Sequence, residues 1–327
     1  MTIAGNQARL PLAFLPTPLH PLDRISHELG GPRLWIKRDD QTGLVTGGNK
    51  TRKLEFLVGE ALALGCNILL TTGAAQSNHC RQTAAAAVAA GMDCHLVLSG
   101  APIDREEGNL LLDRLLGAAV HWSARETRLA ELARLSEELR SSGQRPYTVT
   151  YGGSDPVGAT GYAVALEELR EQALGAGLAL DAIVFASSSG GTQAGLIAGS
   201  RLLGWDIPLV GISVDEPAER LQSVVSELAT RTLALLGGND AVKPCDVLVE
   251  AGYLGGGYGV VGELERQAIL RLARTEAILL DPVYTGRAFG GLMDLIARKR
   301  FGSGQNVLFW HTGGTPALFA YGPQLGV

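Results

Sequence analysis

Short apolar runs rich in β-branched residues recur along the chain, at Leu34 to Lys37, Ile68 to Thr72, His95 to Leu98, Ala182 to Phe185, Leu209 to Val214 and Val307 to Trp310. Between them lie longer stretches with helical spacing, which include Thr51 to Leu64, Arg81 to Ala90, Arg128 to Arg140, Gly191 to Leu203 and Glu263 to Glu276. The first set is strand length and the second helix length. Strand, helix and strand in succession return the chain in the same direction. The alternation therefore predicts an α/β protein whose mostly parallel sheets are flanked by helices on both faces. Leu129, Leu132, Leu135 and Leu139 give one of these helices an apolar face opposite its charges, the pattern of a cover helix. The small side chains of Ala84 to Ala87 suit a helix packed close against a sheet. The turn-rich stretch Gly152-Gly153-Ser154-Asp155-Pro156 is a candidate crossing between domains.

With 327 residues, 46% of them apolar, the chain can fill one large or two medium cores. Its net charge is −5 and its basic residues are scattered, which argues against a nucleic-acid or polybasic membrane surface. Met1 to Pro11 lacks a basic stretch followed by an apolar core, and no segment approaches the ~18 apolar residues of a membrane span. A cytoplasmic protein acting on small molecules is expected. Cys66, Cys80, Cys94 and Cys245 include no Cys-x-x-Cys pair, so neither a disulfide nor a structural zinc is expected.

Chemistry concentrates in Thr46-Gly47-Gly48-Asn49-Lys50-Thr51-Arg52-Lys53-Leu54-Glu55. Leu54, Leu57, Val58, Ala61 and Leu64 follow helical spacing, so Lys50 falls in the first turn of a helix entered through two glycines. A cation there opposes the partial positive charge of the helix N-terminus. That field, with any burial, lowers the lysine pKa and favours the neutral amine that a Schiff base with a carbonyl cofactor requires. A surface lysine before a helix would satisfy the same spacing.

Ser187-Ser188-Ser189-Gly190-Gly191-Thr192 follows an apolar strand and opens a helix, the arrangement that cradles a phosphate dianion. Gln76-Ser77-Asn78 precedes the alanine-rich helix, where its side chains either cap that helix or join its free N–H groups in holding a carboxylate. One helix and one strand separate Lys50 from Ser77, which brings both to one edge of a sheet. Gly257-Tyr258-Gly259-Val260-Val261-Gly262 fits the dinucleotide fingerprint. Such matches are common in a chain with 43 glycines, and the acidic residue due about 20 positions on would be Asp281, in a separate Asp-Pro turn.

The lysine motif resembles that of the D-cysteine desulfhydrase and aminocyclopropane-carboxylate deaminase family, whose fold is shared by the tryptophan synthase β-subunit. Leu15-Pro16-Thr17-Pro18-Leu19, Trp35-Ile36-Lys37-Arg38-Asp39-Asp40, Gln76-Ser77-Asn78-His79, Asp281-Pro282-Val283-Tyr284 and His311-Thr312-Gly313-Gly314 follow in the family's order. The resemblance implies the fold type II of pyridoxal-phosphate enzymes, with a large domain of residues 1–48 and 157–327 and a small domain, 49–156, inserted in it. It implies pyridoxal 5′-phosphate on Lys50, its phosphate on Ser188, Ser189, Gly190, Gly191 and Thr192, its ring hydroxyl near Asn78, and its pyridine nitrogen facing Thr312. Ser77, Asn78 and His79 match the family's substrate-carboxylate loop, while Tyr258 and Tyr284, 26 residues apart, match two tyrosines that face the substrate. Thr285, which stands where the aminocyclopropane deaminases carry Glu, is implied as a further cofactor contact, and Ala101 stands where they carry Trp. A homodimer is implied as well.

The reading that follows is elimination of hydrosulfide from D-cysteine, with Lys50, Ser77 and Tyr284 as acid–base groups and Tyr258 as a fourth catalytic residue. A hydroxyl at Thr312 holds the pyridine nitrogen protonated less firmly than a carboxylate would, which suits loss of a β-leaving group. Cysteate sulfo-lyase and aminocyclopropane deaminase activities are alternatives on the same scaffold. A non-catalytic binder of amino acids or nucleotides would leave Lys50 unexplained.

Overall fold

The computed structural model describes residues 3–103 and 106–326. In chain order its strands are β1 (Leu19–Pro21), β2 (Arg33–Arg38), β3 (Ile68–Ala74), β4 (Asp93–Ser99), β5 (Ala119–Ser123), β6 (Pro146–Thr148), β7 (Ala182–Ser187), β8 (Leu209–Ser213), β9 (Val249–Glu250) and β10 (Asn306–His311). They form a six-stranded sheet in the order β1-β2-β10-β7-β8-β9 and a four-stranded sheet in the order β5-β4-β3-β6. Every pairing is parallel except that of β1 with β2. The runs expected to be strands became β2, β3, β4, β7, β8 and β10. The four strands without a sequence signal, β1, β5, β6 and β9, are the edges of the two sheets.

Side chains alternate across each strand, and the cores follow that alternation. In β10, Val307 and Phe309 point into a core with Leu34, Val184 and Ile212 beneath helices Glu263–Glu276 and Thr285–Ala297. Leu308 and Trp310 point the other way, onto helices Pro156–Gly175, Gly191–Leu203 and Ala218–Leu235. The smaller sheet repeats the pattern. Leu69, Leu96 and Leu98 face helices Asn49–Ala63 and Asn78–Ala90, whose Ala84, Ala86 and Ala87 are fully buried. Ile68, Leu70 and Val97 face Leu132 and Leu135 of helix Arg128–Ser141. Leu129 departs from its expected apolar face: it is 62% exposed, because contact with the sheet begins only one turn further along. Among the described residues, no helix is long and apolar enough to cross a membrane.

Helix Asn49–Ala63 is buried along most of its length, packed between helices Pro156–Gly175 and Asn78–Ala90, so its polar side chains must find partners inside the protein. Arg52 finds several. Its Nε and one Nη bind the two oxygens of Asp39 at 2.9 and 2.8 Å, and its Nη groups reach Glu168 at 3.0 and 2.9 Å and the Thr17 hydroxyl at 2.9 Å. Tyr162 donates to Asp39 at 2.6 Å, while the Lys37 ammonium reaches Glu168, the Gln172 amide oxygen and the Thr17 carbonyl. Although burial pushes the Asp39 carboxyl upward, the Arg52 guanidinium prevails and holds its pKa below the usual range. Glu168 is held low in the same way. Arg52→Met would leave both carboxylates buried and underpaired, and is expected to lower stability by about 3–5 kcal/mol in urea unfolding followed by circular dichroism.

Candidate active site

Between the 3₁₀ turn Asp39–Gln41 and helix Asn49–Ala63, residues 43 to 48 all have positive φ, including Leu44 at 46°, Val45 at 52° and Thr46 at 67°. For β-branched residues that conformation is strained, so the surroundings must enforce it. Glycine is required at the end of the run: a Cβ on Gly47 would sit 2.1 Å from the Asp40 carbonyl oxygen, and one on Gly48 would sit 2.4 Å from the Gln82 amide. The Gly48 N–H is tied to the Asp39 carbonyl and the Thr42 hydroxyl, at 2.9 and 2.8 Å.

The loop delivers Lys50 to the second position of its helix. Next to it, the Asn49 backbone N–H donates to the Thr312 carbonyl at 2.9 Å, and the Asn49 amide donates to the Thr192 hydroxyl at 3.1 Å. The lysine loop, the end of β10 and the Ser/Gly loop after β7 are thereby joined at one point. Burial lowers the Lys50 ammonium to about 8, against the opposing pull of the Asp281 carboxylate. The direction matches the sequence-based expectation, and burial is the main cause.

Gly190, with φ at 83°, turns β7 into helix Gly191–Leu203 and leaves that helix N-terminus open toward the cavity. Ser154 approaches from the other side, its Oγ accepting from the Gly191 N–H at 3.2 Å and lying 2.8 Å from the Ser189 hydroxyl. Lys53 completes this corner. It is buried, its Nζ donates to the Gly152 carbonyl at 3.2 Å, and a Cβ on Gly191 would lie only 2.8 Å from that nitrogen. Burial, and then the charge of Lys50, hold the Lys53 pKa well below its ordinary value. A buried amine beside two serine hydroxyls and an open helix N-terminus makes a site for a multiply charged anion.

Lys50, Ser77, Asn78, His79, Ser188, Ser189, Gly190, Thr192, Tyr284 and Thr312 line one cavity. Ser77 realises its capping alternative, its Oγ accepting from the Cys80 N–H at 3.2 Å, while still edging the cavity. The His79 Nε2 lies 2.8 Å from the Thr71 hydroxyl, whose own proton goes to the Val149 carbonyl; His79 is therefore the donor in that contact. Burial, with the charges of Lys50 and Lys53, keeps its imidazole neutral. The Tyr258 hydroxyl stands behind the wall, 2.8 Å from that of Tyr284, with the two rings edge to face. Burial raises both phenol pKa values, so both remain protonated.

Thr285 and Ala101 lie away from the wall. The Thr285 hydroxyl bonds Asp281, donating to its carboxylate and accepting from its N–H, each at 2.7 Å, and Ala101 sits exposed in a loop. Sequence reasoning missed Asp281 as the carboxylate that caps helix Thr285–Ala297 and faces Lys50. It also missed Asn49 and Tyr151, which line the cavity, and Lys53 and Ser154 behind it. The i, i+3 spacing from Lys50 was a usable signal for Lys53; Tyr151 and Ser154 arrive through a turn with no pattern. The Gly257 to Gly262 match is a loop whose Gly257 and Val260 carbonyls accept from the buried Arg287, at 3.1 and 3.0 Å. It presents oxygens inward where a nucleotide loop presents amides.

A family model of pyridoxal-phosphate-dependent enzymes matches residues 10–313. A protein of Pyrococcus abyssi with the provisional name 1-aminocyclopropane-1-carboxylate deaminase is 42% identical over 320 residues, covering 97% of this chain and 94% of its own. A D-cysteine desulfhydrase of Yersinia pestis is 42% identical over 324 residues and 97% of each chain. Among solved structures, an ACC deaminase homologue superposes with a TM-score of 0.90 at 38% identity, covering 99% of this chain and 97% of its own.

In cofactor-free protein, acylation of Lys50 followed by peptide mass mapping should rise with pH through a midpoint near 8, well below that of exposed lysines. Asp281 favours the ammonium, so Asp281→Asn should move the midpoint lower still.

Proposed function

The chain belongs to the pyridoxal-phosphate-dependent enzymes, and from that premise we propose that it is a carbon–sulfur lyase converting D-cysteine to pyruvate, hydrosulfide and ammonia. The observation that carries this reading is the convergence, on one cavity, of a lysine amine with a pKa of about 8, the Ser/Gly helix start at Ser188 to Gly190 and Thr192 with Lys53 buried behind it, and a protonated tyrosine. The residues fit the cofactor: Ser188 to Thr192 and Lys53 would hold its phosphate, Lys50 its aldehyde carbon, Asn78 its ring oxygen and Thr312 its pyridine nitrogen. When bound, it supplies the electron sink that makes the substrate's α-proton acidic.

The chain's own groups supply the rest. Ser77, with the N–H groups of its helix, binds the substrate carboxylate, and neutral His79 holds that helix start to β3 through Thr71. The neutral amine of Lys50 takes the proton from Cα. Tyr284, held by Tyr258 across the 2.8 Å contact, hands its proton to the departing thiolate sulfur as the C–S bond breaks, so that it leaves as hydrosulfide, and the proton that Lys50 took from Cα restores the tyrosine pair. Water then replaces nitrogen, releasing ammonia and pyruvate. Thr312 would offer a neutral hydroxyl to the pyridine nitrogen, and Thr285, where the aminocyclopropane deaminases carry Glu, has its hydroxyl bonded to Asp281. The similarity to an ACC deaminase homologue supports a second reading, opening of the cyclopropane acid. The same proposal divides the chain into residues 1–48 with 157–327 and an inserted 49–156, and takes the working unit to be a cytoplasmic homodimer.

Borohydride reduction of the cofactor-loaded protein should fix pyridoxal phosphate on Lys50, and Lys50→Ala should abolish the label; a label on Lys53 or Lys37 would overturn the assignment. Pyruvate release should show kcat/KM for D-cysteine at least ~100-fold above that for the cyclopropane acid, a barrier difference of roughly 2.7 kcal/mol. Equal or faster turnover of the cyclopropane acid would favour the second reading.

A further inference from the structure

Arg81 is fully buried on helix Asn78–Ala90, yet the carboxylate nearest to it in charge, Asp113, makes no hydrogen bond among the described residues. The guanidinium donates instead to neutral oxygens. Its Nε reaches Asn109 Oδ1 at 2.8 Å; one Nη reaches the Val45 carbonyl and the other the Gly47 carbonyl, at 3.0 Å. The two carbonyls belong to the left-handed run that delivers Lys50.

The Asn109 contact fixes a direction. A guanidinium has only donors, so the Asn109 atom facing it must be the amide oxygen. The amide nitrogen then faces the opposite way, donating to the Gln76 carbonyl at 3.0 Å and to Asn78 Oδ1 at 2.8 Å. Gln76 locks Asn109 from a second side, its Oε1 accepting from the Asn109 backbone N–H at 2.9 Å. With its oxygen engaged by Asn109, Asn78 presents its NH₂ to the cavity that it lines.

We propose that Arg81 and Asn109 are positioning residues: they pass donor polarity from a buried cation to Asn78, so that the cavity receives an N–H donor there and never the amide oxygen. An unrestrained asparagine could offer either end, and only the NH₂ stabilises an anionic ring oxygen. Through Val45 and Gly47, the same guanidinium sets the height of the lysine loop, so one cation aligns both Lys50 and Asn78. This inference rests on the proposed placement of Asn78 at the ring oxygen.

The test is a double-mutant cycle on cofactor affinity, titrating cofactor-free protein with pyridoxal phosphate and following tryptophan fluorescence. Asn78→Ala and Asn109→Ala should each weaken binding by about tenfold, the size of one hydrogen bond to a charged oxygen. In the Asn78→Ala background, the Asn109 change should add less than twofold. Asn109→Asp keeps the shape and the acceptor for Arg81 while removing the donor to Asn78, and serves in the cycle if the alanine variant unfolds. It should also weaken binding by about tenfold and raise by about one unit the pH at which the bound cofactor's long-wavelength absorbance is lost. Independent effects multiplying to ~100-fold would overturn the relay, as would native affinity in Asn109→Asp. Native affinity in Asn78→Ala would overturn the placement of Asn78 and the relay with it. Failure of the unmodified protein to bind pyridoxal phosphate would overturn the proposed function itself.

Discussion

The paired contact of Arg52 with Asp39 and Glu168 holds three parts of the chain in register. Asp39 follows β2, Glu168 lies on helix Pro156–Gly175, and Arg52 lies on the helix that carries Lys50. A buried ion pair is seldom worth more than a well-packed apolar substitute, so its effect here is on geometry more than on net stability. The guanidinium has five donors in a rigid fork, and only one placement of its helix satisfies both carboxylates and Thr17 together. Because Lys50 is two residues away, any slip of that helix would carry the amine with it.

Successive residues in a helix are turned by about 100°, so Arg52 points away from Lys50 while Lys53 returns to the same side. One turn thus divides a structural cation from two site amines. Two amines buried side by side oppose each other's protonation, and burial lowers both. An anion seated between Lys53 and the start of helix Gly191–Leu203 removes that conflict for Lys53 without requiring the Lys50 amine to be charged. The strain in residues 44 to 46 fits the same arrangement, since the left-handed run brings the helix start under the end of β10.

Fold class was readable because the central strands are buried on both faces and so carry uninterrupted apolar runs. The edge strands were not. β5 contains His121 and Trp122, and β9 is two residues long; each is paired on one side only, so pairing with a neighbour defines it more than its own pattern does. Leu129 illustrates the same limit in a helix, where spacing identifies a face without saying how far the partner sheet extends.

By itself the sequence determined the alternation of elements, the lysine at a glycine-hinged helix start and the Ser/Gly turn after an apolar strand, because each follows from backbone conformation over a few neighbouring residues. Tertiary structure decided what those pieces meet. Ser154 and Lys53 reach the start of helix Gly191–Leu203 only because the turn after β6 packs against the loop after β7. Asp281 acts on Lys50 across 231 positions of sequence, and Arg81 orients Asn78 through Asn109, from a different helix. The direction of a hydrogen bond between side chains depends on which donor stands next to which acceptor in space, and residue spacing along the chain does not encode that.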